Sequence, residues 1–565
     1  MRLFTPLLTC GLAAAAALAG LASTASAQTV CATDITAATP LGPVAGCDRI
    51  WGDEADEAYV VLDTILFVLD TDLTIVDGTI VRGQPRSESY DPLNPLVGAP
   101  GTLIVARDAF LNARGNPGSP IIFTTAATDN DNNGIADDVV APIGEFDRWN
   151  PGDLFLDDTP ATNPLSTLMQ DGNQAGLLHG GLVLIGRAPT NLDDSTTGIE
   201  GEGICEGLPV PGVAPAAATY GGNEPHDSSG VLEYVSVRHA GDEISPGNEL
   251  NGITFCGVGD GTIVSHVESY ANGDDGFEMF GGTVNLRNVV VAYAGDDSLD
   301  VDQGYVGTIQ HAFTLSLFHD ENDGGLIGTG GSGDRAGEFD GEDCPTCIVA
   351  ADGFVIPDPN MVVSNWTHVG NQAAALNAGV TNPAVDAAAA NLGIQADTQW
   401  GGVIANTLVL GQGATQSIQH NSSGRNLRAI VATTTDSAID AGATAAANTG
   451  DAQVAAGSEY IGGSANVIGF GGQLLANENH FFRPTGVLAN GRGKLLGAKT
   501  SDAGVIGGAP MNPRPLNPAN AEVSGGIEPH WPGMDRSATY RGAFGASGDL
   551  WAEPWSALAL GGIVD

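Results

Sequence analysis

Positive charge is scarce in this 565-residue chain: Lys and Arg number 20 against 67 Asp and Glu, a formal net charge of −47. Nucleic acids and anionic membrane surfaces need clustered basic residues, so neither is an expected partner. Aromatic residues make up 6% of the chain, and residues 1–350 show no long amphipathic helical period, which argues against a helix bundle. Beyond the N-terminus no stretch offers about 20 continuous apolar residues, so direct membrane insertion is not expected. Phosphate-binding loops, zinc ligand sets and an ordered Ser/His/Asp series are missing too.

The N-terminus combines Arg2, an apolar stretch from Leu7 to Leu21, and Ala25-Ser26-Ala27 before Gln28. This is the anatomy of a secretory signal peptide cut after Ala27, and it predicts export to the periplasm, the outer cell surface or the extracellular space. Cleavage leaves 19 basic residues against 67 acidic ones, a charge of −48, and six of the seven cysteines. An even count in an exported chain favours disulfides. Proximity pairs Cys31 with Cys47 and Cys344 with Cys347, which leaves Cys205 with Cys256. The Cys344-Pro345-Thr346-Cys347 spacing also fits a redox motif, but no strand-to-helix context surrounds it. So much negative charge is compatible with disorder, yet 42% hydrophobic residues in frequent Val/Ile/Leu runs predict a large folded core.

What the chain has in abundance is glycine, 80 residues, with short β-branched runs between Gly, Asn and Asp turns. Examples are Leu73 to Val76, Thr79 to Val81, Thr102 to Val105, Ile121 to Phe123 and Gly181 to Ile185. In the centre a repeat emerges. Asn251-Gly252-Ile253-Thr254-Phe255, Asp275-Gly276-Phe277-Glu278-Met279 and Asp297-Ser298-Leu299-Asp300-Val301 share one pattern, spaced 24 and 22 residues apart, with a looser fourth copy at Asn322 to Ile327. Such a period holds about three short strands and three turns, one coil of a right-handed parallel β-helix. Leucine-rich repeats lack their consensus here, and a β-sandwich would not produce an in-phase Asp/Gly ladder.

The resulting layout is a signal peptide at 1–27, an N-terminal cap at 28–60, a β-helix at 61–371, an Ala-rich insertion with further strands at 372–460, and last coils with a C-terminal cap at 461–565. Residues 372–392 form the best helix candidate, 432–457 read as loop with weak helix, and Tyr540 to Trp555 suit the capping of an open coil edge.

The segments GTLIVARDAFLNARGNPGSPIIFT (101–124), GGLVLIGRAPTN (180–191), NGDDGFEMFGGTVN (272–285), GDDSLDVDQGY (295–305), GDRAGEFDG (333–341) and YRGAFGASGDLWAEPWSAL (540–558) carry a resemblance. They resemble a family of exported bacterial proteins with right-handed β-helix repeats, and more distantly the pectate-lyase-like polysaccharide enzymes. The resemblance implies the fold; it transfers no catalytic residues.

Two constellations stand out. Asp129, Asp131, Asn133, the Ile135 carbonyl and Asp137 occupy positions 1, 3, 5, 7 and 9 of a Ca²⁺ loop whose position 12 is Val140, without the usual glutamate. In the second, Asp274, Asp275, Asp296, Asp297, Asp300 and Asp302 recur in register, with Glu278 matching Asp300. Stacked coils place equivalent carboxylates about 4.8 Å apart. Close carboxylates raise one another's pKa, which suits acid-base chemistry, or recruit a cation. Asp275, Asp297, Asp300 and Arg335 are the catalytic candidates, and Asp274, Asp296 and Asp302 a second metal set. Arg238, Arg287, His239, His266, His311 and His319 are alternative bases for a lyase, and Glu338 with Asp340 an alternative carboxylate pair. Arg335 among three acids also reads as an ion-pair network.

The sequence therefore predicts an exported, Ca²⁺-stabilised β-helix at the cell surface or in the extracellular matrix, binding carbohydrate or another surface component. The enzymatic alternative is a polysaccharide lyase or glycoside hydrolase working through the Asp ladder. A third reading is a soluble partner of an outer-membrane uptake receptor.

Overall fold

The structure is a computed structural model that describes residues 28–29, 50–52, 60–86, 99–126, 179–315, 335–341, 361–369, 393–410, 416–420, 429–434, 438–439, 513–514 and 526–564, short gaps within these ranges apart. The signal segment, the 129–137 loop, the 372–392 helix candidate, His319 and the cysteines at 31, 47, 344 and 347 lie outside them.

Two long parallel sheets wind round one core. The front sheet has ten strands, in order Ile65–Val68, Thr102–Val105, Leu182–Ile185, Ile253–Cys256, Phe277–Phe280, Leu299–Asp302, Gly337–Asp340, Ile394–Asp397, Gln416–His420 and Ala438–Ile439. Each strand is one coil further along the chain, as a solenoid requires. The register pairs Ile253 with Phe277 and Phe277 with Leu299, the phase read from the repeat. Leu299 then pairs with Gly337, so Gly337–Asp340 is the next rung of the ladder, a place the sequence pattern gave to Asn322 to Ile327. The insertion between these coils hides that spacing from a period count.

Alternation decides what faces inward. Leu182, Ile253, Phe277 and Leu299 form one interior column, and Leu184, Phe255, Met279, Val301 and Phe339 another, all fully buried. The residues between them point outward: Val183, Thr254, Glu278, Asp300, Glu338 and Gln395 stand in one register row.

The second sheet has 14 strands and forms the other two sides of the coil. In the central coils these sides are single bent strands, Gly230–Arg238, Ile263–Tyr270, Asn285–Ala292, Thr308–Leu315, Val362–Val369 and Val403–Leu410. The bend falls at Tyr234, His266, Asn288, His311, Asn365 and Asn406, whose φ values run from 49° to 60°. Asn and His are among the residues that tolerate this left-handed conformation best, and five of the six positions are Asn or His; His311, Asn365 and Asn406 also use the polar tip to engage backbone carbonyls.

Strands continue at Ala429–Thr434 and Ala438–Ile439, where alanine content suggested weak helix. The unpaired edge of Val403–Leu410 supplies ladder partners, and tertiary pairing overrides helix propensity. The C-terminal segment lies along the flank of the solenoid, where a cap over an open coil edge was expected. Asn365 Nδ2 donates to the carbonyls of Ala538 and Tyr540, Asn406 Nδ2 to those of Ile527 and Ala538, and Phe544 packs edge-on against Phe313 at 5.4 Å. Its helix, Ala557–Leu560, presents the N–H groups of Ala557 and Leu558 to the buried Glu268 carboxylate at 2.7 and 3.5 Å. No helix among the described residues is long and apolar enough to cross a membrane.

Candidate functional site

The acid ladder is built from the turn that enters each front strand. Asn251 Oδ1 accepts from the Asp275 N–H at 3.2 Å, and Asp275 Oδ1 accepts from the Asp297 N–H at 2.8 Å. Each turn side chain thus holds the equivalent turn of the next coil. Asp297 Oδ2 receives Arg335 Nη1 at 3.3 Å, so Arg335 occupies the following rung. Glycine follows Asp275 because a Cβ at Gly276 would lie 2.3 Å from Val291 Cγ1 and 2.6 Å from the Ser298 carbonyl.

Two groups of carboxylates converge here. Oxygens of Asp274, Asp275 and Asp296 lie within 4.8 Å of one another, as do those of Asp275, Glu278 and Asp300. Asp275 belongs to both. Asp302, expected beside Asp274 and Asp296, joins neither group: its Oδ1 accepts the Gln303 N–H at 2.6 Å, one pleat further along the strand. Glu278 takes the Asn251 amide, and Glu338 takes Arg335 and, at 3.1 Å, the Gln395 amide. Arg335 therefore ties two coils together through Asp297 and Glu338.

Burial is the first cause that lifts these carboxyls above the usual range, and mutual repulsion is the second. Asp274, Asp275, Glu278, Asp297 and Asp300 are all raised well above it. For Asp275 the repelling neighbours are Asp300, Asp274, Asp297 and Asp296; for Asp297 the Arg335 guanidinium opposes the rise. Asp297 is only 2% exposed, and its Oδ1 has no hydrogen-bond partner. A buried oxygen of this kind carries an unmet desolvation cost, which a cation or a proton would relieve.

An insertion reaches over one end of this face. The antiparallel pair Glu202–Ile204 and Thr219–Gly221 packs on the front sheet through Tyr220, Ile185, Cys256 and Phe280, and a Cys205–Cys256 disulfide pins it there. Glu206, next to that disulfide, hydrogen-bonds the Glu278 carboxyl, and burial pushes its pKa up to about 8. Tyr220 Oη donates to Gln303 Oε1 beside Asp302.

Of the sequence-derived bases among the described residues only Arg335 reaches the acid row. Arg238, fully buried, lies on the flank sheet with Nε on Ser236 Oγ, and Arg287 donates to the Gly533 carbonyl. His239 meets Thr124, His266 stacks on Tyr234, and His311 contacts the Ala543 carbonyl. Asp340 sits at the end of the Gly337–Asp340 strand, two residues beyond Glu338. Glu206 was missed by sequence reasoning, although the Cys205–Cys256 pairing already places its neighbour beside the strand that precedes Glu278.

Residues 159–459 match the family model described as pectate-lyase like beta helix domain. No curated protein and no solved structure matches the chain.

Proposed function

The chain belongs to the family of pectate-lyase-like β-helix domains, and from that premise we propose that it is an exported protein whose acidic front face holds Ca²⁺ and binds an anionic polysaccharide of the cell surface or extracellular matrix through that cation. The observation that carries this reading is the pair of carboxylate groups sharing Asp275, with oxygens within 4.8 Å. Hard oxygen donors at this density suit Ca²⁺, which takes six to eight oxygens in flexible geometry. Asp275, Glu278 and Asp300 would hold the ion, with Asp274 and Asp296 adjoining. A chain of net charge −47 repels a polyanion unless a cation stands between them. Bound there, Ca²⁺ supplies a positive centre for a substrate carboxylate; the strands and turns keep the donors in place.

The test is binding of polygalacturonate to the mature protein with Ca²⁺ and with a chelator, compared with Asp275→Asn and Asp300→Asn variants. Ca²⁺-dependent retention that both variants lose supports the reading; retention that survives chelation defeats it. A second reading, glycoside hydrolysis, draws on the raised carboxyls Asp275 and Asp300, one of which would stay protonated as a general acid. A lyase is less favoured, because Arg335 is engaged by Asp297 and Glu338. New reducing ends, or unsaturated products absorbing at about 235 nm, would separate the two chemistries and displace a purely binding role.

A further inference from the structure

We propose that the flank of the solenoid carries a second saccharide site, separate from the acidic front face and independent of any cation. In it Asn288, with His266 and His311 on either side, hydrogen-bonds the hydroxyls of an uncharged sugar, and the rings of Tyr234 and Trp551 pack against the sugar's apolar face. The site goes beyond the cation reading above and differs from it in face, ligand and chemistry.

The column of left-handed corners carries it. Register places Tyr234, His266, Asn288, His311, Asn365 and Asn406 at one position of successive coils, so these residues stack at intervals of about 4.8 Å. Where the C-terminal segment covers the column, each tip is used: Asn406 Nδ2 on the carbonyls of Ile527 and Ala538, Asn365 Nδ2 on those of Ala538 and Tyr540, and His311 Nδ1 on that of Ala543 at 3.3 Å. The segment then leaves the column, packing Phe544 on Phe313, and returns at Trp551 and Trp555, whose rings meet His266 edge-on at 6.4 and 6.1 Å. Asn288 stands in the column between those two contacts. It is 9% exposed, and among the described residues its amide makes no hydrogen bond and keeps a narrow opening to solvent. An amide so nearly buried costs free energy when unpaired, and its equivalents Asn365 and Asn406 are both paired, so this tip is built to take a partner from outside.

The chemistry of the gap selects the ligand. Burial, with Arg287 nearby, pushes His266 down to about 4, and burial does the same to His311, so both rings are neutral at pH 7. With its Nδ1 proton on the Ala543 carbonyl, His311 offers Nε2 as an acceptor, and Asn288 offers two donors and an acceptor. A sugar hydroxyl donates and accepts at once and matches both. Tyr234, stacked on His266 at 4.4 Å, and Trp551 are each partly exposed, which sets flat apolar surface beside the polar tips, the usual make-up of a small-molecule site. From His266 to His311 the gap spans two rungs, about 10 Å, room for a ring. The surrounding charges balance: Arg114 pairs with Glu233, and the Asp535 carboxylate lies within electrostatic reach of Arg287 and His311. A net charge of −47 opposes a polyanion here, where no carboxylate cluster gathers a cation. A peptide strand would need a free ladder edge, and the strand that carries Asn288 is paired on both sides.

The experiment titrates the full mature chain, with Ca²⁺ and with a chelator, against uncharged oligosaccharides of glucose, mannose, xylose and galactose, read by calorimetry and tryptophan fluorescence. At least one should bind equally in both conditions and change the fluorescence, a change that Trp551→Phe should lose. Asn288→Gly, which keeps the left-handed corner, should weaken that sugar about 10-fold or more. Asn288→Asp, which the same backbone accepts and which removes the amide donors, should weaken it too. Both Asn288 variants should leave Ca²⁺-dependent retention of polygalacturonate as it is, and circular dichroism verifies that each is folded. Sugar binding of equal strength in the parent chain and both Asn288 variants puts the ligand elsewhere and overturns the site. Binding that vanishes in chelator assigns the sugar to the front face and overturns it as well, and so does binding of none of the four sugars. Failure of polygalacturonate retention alone overturns the cation reading and leaves this site standing.

Discussion

Raising the pH from 6 to 8 should tighten Ca²⁺ binding at the front face steeply. Burial lifts the Glu206 carboxyl from its ordinary 4.5 to about 8, and Glu278 beside it is raised as well. A folded-state pKa above the unfolded one means that the metal-free fold binds more protons between those values. Its stability is fullest below pH 4.5 and falls as the pH rises through 8. Ca²⁺ at Glu278 competes with the proton that the Glu206–Glu278 pair holds, so binding well below pH 8 expels it. For one proton with a pKa near 8, apparent affinity rises about 50-fold between pH 6 and pH 8, or about 2 kcal/mol. Further shared protons steepen the slope. An exposed acidic patch with ordinary carboxyls would show almost no change over that range. Isothermal titration at both pH values, in two buffers of different ionisation heat, reads affinity and proton release together. Equal affinity at pH 6 and pH 8, without proton release, would refute the reasoning, and Glu206→Gln should flatten the slope.

Other expectations follow from the packing. Phe277→Ala empties a fully buried position between Phe255 and Leu299 and should cost about 3–5 kcal/mol in a urea melt, whereas Asp296→Asn, at an exposed turn, should move the midpoint little. Glu268→Gln leaves the buried Arg238 guanidinium without its counter-charge and weakens the hold on Ala557 and Leu558. It should cost about 3 kcal/mol and make the C-terminal segment sensitive to protease; unchanged cleavage contradicts the docking described. Burial lowers His368 from 6.5 to about 3, so the fold keeps it neutral and loses stability as the pH falls below 6.5. His368→Asn escapes that loss, and its stability deficit at pH 7 should shrink by about 2 kcal/mol at pH 5; a deficit that is equal at both values counts against a neutral buried ring.

Much of the fold was legible because a solenoid writes its coil length into the sequence. Asp275-Gly276-Phe277 and Asp297-Ser298-Leu299 carry the turn, the tight entry and the inward residue in order, and their spacing is the register itself. The ladder was lost where an insertion separates coils, so the rung at Gly337–Asp340 looked like a local charge motif. Strand Ala429–Thr434 was misread because alanine carries no two-residue alternation, and only a neighbouring strand determines its state. The flank histidines were offered as bases because nothing local distinguishes a catalytic imidazole from His266 or His311 at a left-handed corner. Glu206 was missed for a different reason: the Cys205–Cys256 pairing was legible from the cysteine count, but periodicity says nothing of where the residue beside it comes to lie.

The central claim, that the front carboxylates hold a cation, is tested most directly by anomalous diffraction from crystals of the mature protein grown with Tb³⁺ in place of Ca²⁺. The account predicts an anomalous peak among Asp275, Glu278 and Asp300. Peaks confined to other parts of the molecule would contradict it.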